Sequence, residues 1–126
     1  MKTEIFSSPS LYLVVYREED GTLSWIGDYK GMKIDQVAVV GGRWPWSGTQ
    51  CIILINYMER RQARLSNLLC VGRDGNTRWV ADLPGSPDSF VGMHMEGNVL
   101  SAGTWTGYGV KIDPKTGKRL SMVFVK

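Results

Sequence analysis

The sequence predicts an all-β protein, made of two tandem four-stranded antiparallel meanders that pack as one barrel-like or sandwich-like unit. Short apolar stretches follow one another along the chain, Gly-containing turn signals separate them, and long charged helical runs are absent. The chain has 126 residues, 43% of them hydrophobic and 21% charged, which is typical of a globular protein. One domain, residues 1–126, is therefore expected.

Ten stretches have the length and composition of strands. They are Leu11–Tyr16, Thr22–Gly27, Ile34–Val40, Gln50–Asn56, Asn67–Gly72, Asn76–Leu83, Ser89–Met95, Asn98–Trp105, Tyr108–Ile112 and Arg119–Val125. The sequence Asp-Gly between apolar stretches is a strong hairpin signal, because Gly accepts the positive φ that a tight turn requires. Hairpins are therefore expected at Asp20-Gly21 and Asp74-Gly75.

The two Asp-Gly sites share a longer pattern. DGTLSWIGD begins at Asp20 and DGNTRWVAD at Asp74, an offset of 74 − 20 = 54 residues. The same offset aligns Val37 with Val91. This spacing predicts an internal repeat of about residues 11–63 and 65–125, with propeller-blade-like meanders. The alternative is two ordinary hairpins that share a Trp.

Residues 68–120 resemble one blade of a β-propeller of the quinoprotein or WD type. The resemblance depends on the hairpin Asp74–Trp79, on Gly107-Tyr108 and on the turn DPKTGK at residues 113–118. It implies a four-stranded meander, and it brings no cofactor and no catalytic residue. Two blades are fewer than the four or more that close a propeller, so a different packing is expected.

Net charge and hydropathy give expectations about partners and location. The formal net charge is +3, which is mildly basic and far from a nucleic-acid-binding signature. The first ten residues lack the apolar run of a signal peptide, and the apolar stretch Leu11–Tyr16 is too short to cross a bilayer. We therefore expect a cytoplasmic protein without a membrane partner.

The residues that most often carry chemistry are few. Cys51 and Cys70 lie in apolar stretches and are interpreted as buried thiols. His94 is the one histidine, and strict strand alternation places it on the same face as Phe90 and Gly92. These three residues do not cluster in the sequence as zinc ligands do, so neither a metal nor another cofactor is expected. No catalytic residue is predicted, and a hydrolase that uses carboxylates is the weakest of three functional hypotheses.

Aromatic residues in loops give the leading functional hypothesis. Trp44 and Trp46 flank Pro45, with Arg43 beside them, and Trp105 and Tyr108 lie in the turn TWTGYG. Large rings in such loops either pack or bind something. We predict that the rings and Arg43 form the binding surface of a non-enzymatic protein, which recognises a small molecule or a partner protein. The alternative is that Trp44 or Trp46 plugs one end of the barrel.

A basic segment gives the second hypothesis. Arg60, Arg61 and Arg64 lie around Glu59 in MERRQARLS. Such a segment is usually a solvated surface, but arginines near exposed aromatic rings also bind single-stranded nucleic acid. Nucleic-acid binding is therefore kept as an alternative function.

The final predicted strand, Arg119–Val125, is apolar on both faces, with basic residues only near its ends. A strand of this kind requires a neighbour, because unpaired backbone groups at a sheet edge invite pairing. Either it pairs with Leu11–Tyr16 and closes the sheet, or it meets its symmetry mate in a homodimer. The dimer is the preferred expectation.

Overall fold

A computed structural model describes residues 3–40, 50–58, 66–85 and 87–125. These residues form eleven strands: β1 (Thr3–Ser8), β2 (Leu11–Arg17), β3 (Leu23–Tyr29), β4 (Met32–Val40), β5 (Gln50–Ile55), β6 (Leu68–Gly72), β7 (Thr77–Val80), β8 (Phe90–Glu96), β9 (Val99–Thr104), β10 (Tyr108–Ile112) and β11 (Arg119–Phe124). Each of the ten predicted strands overlaps one of β2–β11. The predicted all-β class is confirmed.

The strands form two antiparallel meanders. A curled seven-stranded sheet has the order β1-β2-β3-β4-β5-β6-β7, and a four-stranded sheet has the order β11-β10-β9-β8. Two packed meanders were expected, but with four strands each. The first meander is longer because β6 pairs with β5, from Cys51↔Val71 to Leu54↔Leu68. The chain changes sheet between β7 and β8, where Pro84 and Pro87 lack the N–H groups that a strand interior needs.

The seven-stranded sheet curls until its first strand reaches the β6–β7 turn. Arg73 Nη2 lies 2.6 Å from Glu4 Oε2, and the N–H of Ser7 donates to the carbonyl of Arg73 at 3.4 Å. Strand β1, which the sequence analysis missed, pairs along its whole length with β2. Strand β2 therefore lies between β1 and β3, so the alternative in which the final strand pairs with it and closes the sheet is wrong.

Strands β5 and β6 separate two hydrophobic cores. Cys51, Ile53 and Ile55 face the interior of the curled sheet, whereas Ile52 and Leu54 face the four-stranded sheet. Both faces of β5 are thus covered, which explains why its sequence is apolar without alternation.

The two cysteines are buried free thiols, as predicted. Cys51 belongs to the core inside the curled sheet and Cys70 to the core between the sheets, so they face opposite sides of the sheet. Burial raises the pKa of both thiols, that of Cys70 to about 12. Because the thiolate is the nucleophile, neither cysteine is a reactive group in the folded protein.

The two Asp-Gly hairpins have the same local structure. In the first, the N–H of Glu18 donates to Thr22 O and Asp20 Oδ1 accepts from the N–H of Thr22. In the second, at an offset of 54, the N–H of Gly72 donates to Asn76 O and Asp74 Oδ1 accepts from the N–H of Asn76. Strand pairing then differs, because β3 pairs with β4 whereas β7 and β8 lie in different sheets. The internal repeat stays a prediction.

Two side chains connect the sheets. Asn67 is 1% exposed; its Nδ2 donates to Ile55 O and Phe90 O at 2.8 Å, and its Oδ1 accepts from the N–H of Phe90 at 2.9 Å. Gln36 Oε1 accepts from the N–H of Met93 at 2.8 Å. These bonds satisfy backbone groups of β8, the outer strand of its sheet, and fix that sheet against β4–β6.

Candidate functional site

The predicted binding residues divide into two groups. Trp105 and Tyr108 lie at the turn between β9 and β10, residues 105–107, which we name the β9–β10 turn. Arg43, Trp44 and Trp46 lie outside the described residues, as do Arg60, Arg61 and Arg64.

Trp105 is 62% exposed although its backbone is held firmly. Its N–H donates to Ser89 O at 2.8 Å, and the N–H of Gly107 donates to Thr104 O at 3.1 Å across the turn. Gly107 has φ +111°, a conformation that disfavours any residue with a side chain. The turn therefore presents the indole ring to solvent from a fixed backbone.

Asp88, a buried residue that precedes β8, fixes this turn. Its Oδ1 accepts from the N–H of Ser89 at 2.8 Å and from the N–H of Thr106 at 3.2 Å. Its Oδ2 accepts from Thr106 Oγ1 at 2.7 Å. Burial alone would raise the pKa of Asp88, but the bonds from Thr106 and Ser89 outweigh it and the pKa is lowered. Asp88 is thus a carboxylate at neutral pH.

Tyr57, a half-buried residue, forms a pair of aromatic rings with the exposed Trp105. Its ring centroid lies 5.5 Å from that of Trp105, with 30° between the ring planes, so the rings stack. Tyr57 follows β5, and its neighbour Asn56 donates from Nδ2 to Asp35 Oδ1 at 3.1 Å. We name Trp105 and Tyr57 the aromatic pair. Tyr57 follows a strand of the seven-stranded sheet, whereas Trp105 follows a strand of the four-stranded sheet.

Tyr108 is the other predicted binding residue at the β9–β10 turn. It is half-buried and packs against the core between the sheets. Its ring meets Phe124 of β11 edge-on, with centroids 5.2 Å apart. Its N–H donates to Thr104 Oγ1 at 3.0 Å, which strengthens the β9–β10 turn.

The expected meeting of Trp105 with Trp44 and Trp46 stays a prediction. Val40, the last described residue before the segment 41–49, lines a groove of about 700 Å³ together with Met95, Asn98 and Lys115. Asn98 precedes β9 and Lys115 follows β10, so the groove lies at the other end of these two strands from the β9–β10 turn. Among the described residues, Tyr57 stacks on Trp105.

His94 lies on the solvent-facing side of the four-stranded sheet. Its Nε2 is 2.7 Å from Glu96 Oε1, and Lys111 Nζ donates to Glu96 Oε2 at 2.7 Å and to Ser101 Oγ at 3.1 Å. The bonds from Lys111 and His94 lower the pKa of Glu96. All of these groups are exposed or half-buried, so the cluster resembles a surface ion-pair network rather than an enclosed catalytic site.

The sequence predicts that His94 shares one face of its strand with Gly92 and Phe90. This is correct for Gly92, but Phe90 lies on the opposite face. The register shifts between Phe90 and Gly92, which is a β-bulge. Because the bulge adds one residue, Phe90 and Met93 both face the core while His94 faces solvent.

Two of the carboxylates that a hydrolase could use, Asp20 and Asp74, have structural partners. Asp20 and Asp74 cap their turns, and hydrogen bonds from Thr22 and Asn76 lower their pKa values. Among the described residues, no three His, Cys, Asp or Glu side chains cluster as metal ligands do.

Sequence reasoning missed two residues of the site, Tyr57 and Asp88. Tyr57 lies between an apolar strand and a basic segment and has no motif of its own. The one available signal for Asp88 was Pro-Asp-Ser before a strand, a combination that favours side-chain-to-backbone hydrogen bonds.

One family model matches the chain: the family described as "Domain of unknown function (DUF7957)", over residues 34–124. The match begins in β4 and ends in β11, so it includes both members of the aromatic pair. No curated protein matches. In the described part of the chain, no helix has the length and hydropathy to cross a membrane.

Proposed function

We propose that this chain, which belongs to the DUF7957 family, is a non-enzymatic binding protein that recognises a small molecule or a partner protein through its aromatic pair. The observation that carries the proposal is an exposed Trp105 ring, stacked on Tyr57 and attached to a turn that a buried carboxylate fixes. A large apolar ring that stays mostly in solvent is unfavourable, and its retention on a rigid turn favours a role in binding.

Preorganisation strengthens this interpretation. A binding surface loses less free energy on association when its side chains are ordered beforehand. Stacking on Tyr57 restricts the indole ring, and Asp88 restricts the backbone beneath it. Trp and Tyr are also the residues most enriched among those that dominate binding energy in interfaces. The exposed indole face is suited to a flat ring or to an apolar group.

The test compares binding to two variants. Trp105→Ala removes the proposed surface, and Tyr12→Ala removes a similarly exposed ring, 54% exposed, from the distant strand β2. A set of one-ring and two-ring aromatic compounds is screened by ligand-observed NMR against wild type and both variants. We expect compounds that bind to wild type and to Tyr12→Ala but not to Trp105→Ala. Equal binding to all three proteins would contradict the proposal.

A folding control accompanies the screen. Because most of its side chain is in solvent, Trp105→Ala is expected to change the free energy of unfolding by less than about 1 kcal/mol. Circular dichroism and urea denaturation measure this. A large loss of stability would mean that the ring is a packing residue.

Single-stranded nucleic acid is a second candidate ligand, because Tyr57 of the aromatic pair is close in sequence to Arg60, Arg61 and Arg64. Such binding weakens steeply with salt, since each neutralised phosphate releases counterions. A fluorescence titration with mixed-sequence DNA and RNA tests it. The absence of binding at low salt would remove this candidate.

A further inference from the structure

Strand β11 is the outer strand of the four-stranded sheet and has an open edge. It pairs with β10 on one side, and no described strand pairs with its other side. Residues 121–125 are all exposed, with Phe124 at 58% and Val125 at 70%. Exposure along a whole apolar strand is unusual for a protein that acts alone.

The pairing with β10 shows which backbone groups point outwards. The N–H of Val125 donates to Gly107 O at 2.8 Å, so these two residues form a hydrogen-bonded pair. In an antiparallel ladder such pairs alternate, and the register Gly109↔Val123 makes Val123 the next one. The N–H and C=O groups of Met122 and Phe124 therefore point to the open edge. They can pair with another strand.

The side chains also suit an added strand. Met122 and Phe124 lie on the face of the sheet that bears Val110 and Tyr108, and Val123 lies on the other face. Natural edge strands are usually blocked by charges, Pro or bulges. A bulge occurs at the start of β11, but no charged residue lies between Leu120 and Val125.

Charge identifies the kind of partner. Lys118 precedes the apolar part of the strand and Lys126 follows it. The guanidinium of Arg119 donates to the carbonyls of Asp82 and Leu83 instead. In an antiparallel pair of two copies, the end of one strand would meet the opposite end of the other, and in the sequence both ends of the apolar stretch carry lysine. Like charges in that position repel, whereas carboxylates would be attracted. The chain as a whole carries a net charge of +3.

We propose that β11 binds an extended segment of a partner protein as an added strand, and that this segment is apolar at its centre and acidic at both ends. Backbone hydrogen bonds to Met122 and Phe124 hold the segment, and the basic ends of β11 select its charges. This surface is separate from the aromatic pair. The proposal does not depend on the ligand of that pair.

Synthetic peptides test the proposal with the full-length protein. One peptide has the centre Val-Thr-Val-Thr-Val between Asp-Glu and Glu-Asp ends, and a second has the same centre between Lys-Lys ends. We expect the acidic peptide to bind about tenfold more tightly, with an advantage that falls as salt is added. N-methylation of alternate residues blocks the N–H groups along one edge of the peptide. Binding should be abolished when the blocked edge is the one that pairs with β11, and it should remain intact when the other edge is blocked. Failure of the acidic peptide to bind, or insensitivity to both methylation patterns, would overturn the proposal.

A protein variant and a matched control locate the binding edge. Met122→Pro removes an outward N–H while leaving the bonds of Ser121 and Val123 to β10, and Pro is tolerated at such edge positions. Ile26→Thr changes an exposed apolar residue on a strand that has neighbours on both sides. Binding should be lost in Met122→Pro and kept in Ile26→Thr. Equal peptide binding by wild type and Met122→Pro would overturn the proposal.

Light scattering at micromolar concentration distinguishes an acidic partner at this edge from the homodimer that the sequence predicts. We expect a monomer. A wild-type dimer that becomes a monomer in Met122→Pro would mean that a second copy occupies this edge, and it would overturn the proposal of an acidic partner.

Discussion

Replacing Asp88 by Ala removes the acceptor of three hydrogen bonds that hold the β9–β10 turn. The donors are the N–H of Ser89, the N–H of Thr106 and the hydroxyl of Thr106, at 2.8, 3.2 and 2.7 Å. Ser89 is buried, so its N–H would lose its acceptor without gaining water. Thr106 is exposed, and water can replace the carboxylate there.

The expected loss of stability follows from this difference. A hydrogen bond to a charged group contributes about 1.5–3 kcal/mol net, and the full value applies only to the buried donor. With a partial contribution from Thr106, the free energy of unfolding should fall by about 2–4 kcal/mol. Urea denaturation followed by circular dichroism measures the change. A loss smaller than about 0.5 kcal/mol, within the range of ordinary surface substitutions, would refute the reasoning.

Thr106→Val is the matched control. It removes the hydroxyl and leaves the backbone donors, so it should cost about 1 kcal/mol in wild type. In the Asp88→Ala background the same change should cost less, because the carboxylate acceptor is already absent and only the 3.3 Å contact of the hydroxyl with Thr104 Oγ1 remains. Additive effects of the two substitutions would show that the bond between them has no energetic role.

The pH dependence gives a second check on Asp88. Its pKa in the folded protein is below the ordinary value of 3.8, so the folded state favours the carboxylate. The stability that Asp88 contributes is therefore present above pH 3.8 and is lost as the pH falls through the lower folded-state pKa. The difference in unfolding free energy between wild type and Asp88→Asn should shrink as the pH falls below 3.8. A difference that stays constant to low pH would contradict this assignment.

Three further predictions concern the fold. Asn67→Ala should lower the free energy of unfolding by about 2–4 kcal/mol in urea denaturation, because it leaves buried groups of both sheets without partners; an effect below about 1 kcal/mol would contradict the cross-sheet role. Gly117→Ala should lower the thermal midpoint, because Gly117 has φ +77° and an added Cβ would lie 2.5 Å from the ring of Trp79; an unchanged midpoint would contradict it. Cys51 and Cys70 should react with a thiol reagent only as the protein unfolds, so rapid labelling of the native protein would contradict their burial.

The local features of the fold were predictable because each depends on a short stretch of sequence. Both Asp-Gly hairpins form with the expected positive φ at Gly21 and Gly75. The apolar stretch at β5 lacks alternation, which is typical of a strand covered on both faces, and its residues belong to two cores. The stretch at β2 is also apolar without alternation, yet Tyr12 and Val14 face away from the core. Composition does not show which sheets will lie on either side of a strand.

The features that were missed depend on contacts between distant residues. Nothing near Thr3 indicates that β1 will pair with β2 and reach Arg73. Tyr57 and Trp105 are brought together only by the packing of the two sheets. Asp88 acts on a turn that is 18 residues further along the chain. Sequence patterns gave Trp105 as a candidate, whereas its stacking partner and its support required the structure.

Chemical-shift mapping of the isotopically labelled protein tests most directly whether the aromatic pair is a binding surface. The compound that binds most tightly in the NMR screen is titrated into wild type. The largest shifts should occur at the amides of residues 104–108, at the amide of Tyr57 and at the indole N–H of Trp105. Largest shifts around the groove at Asn98 and Lys115, with the β9–β10 turn unchanged, would contradict the proposed function.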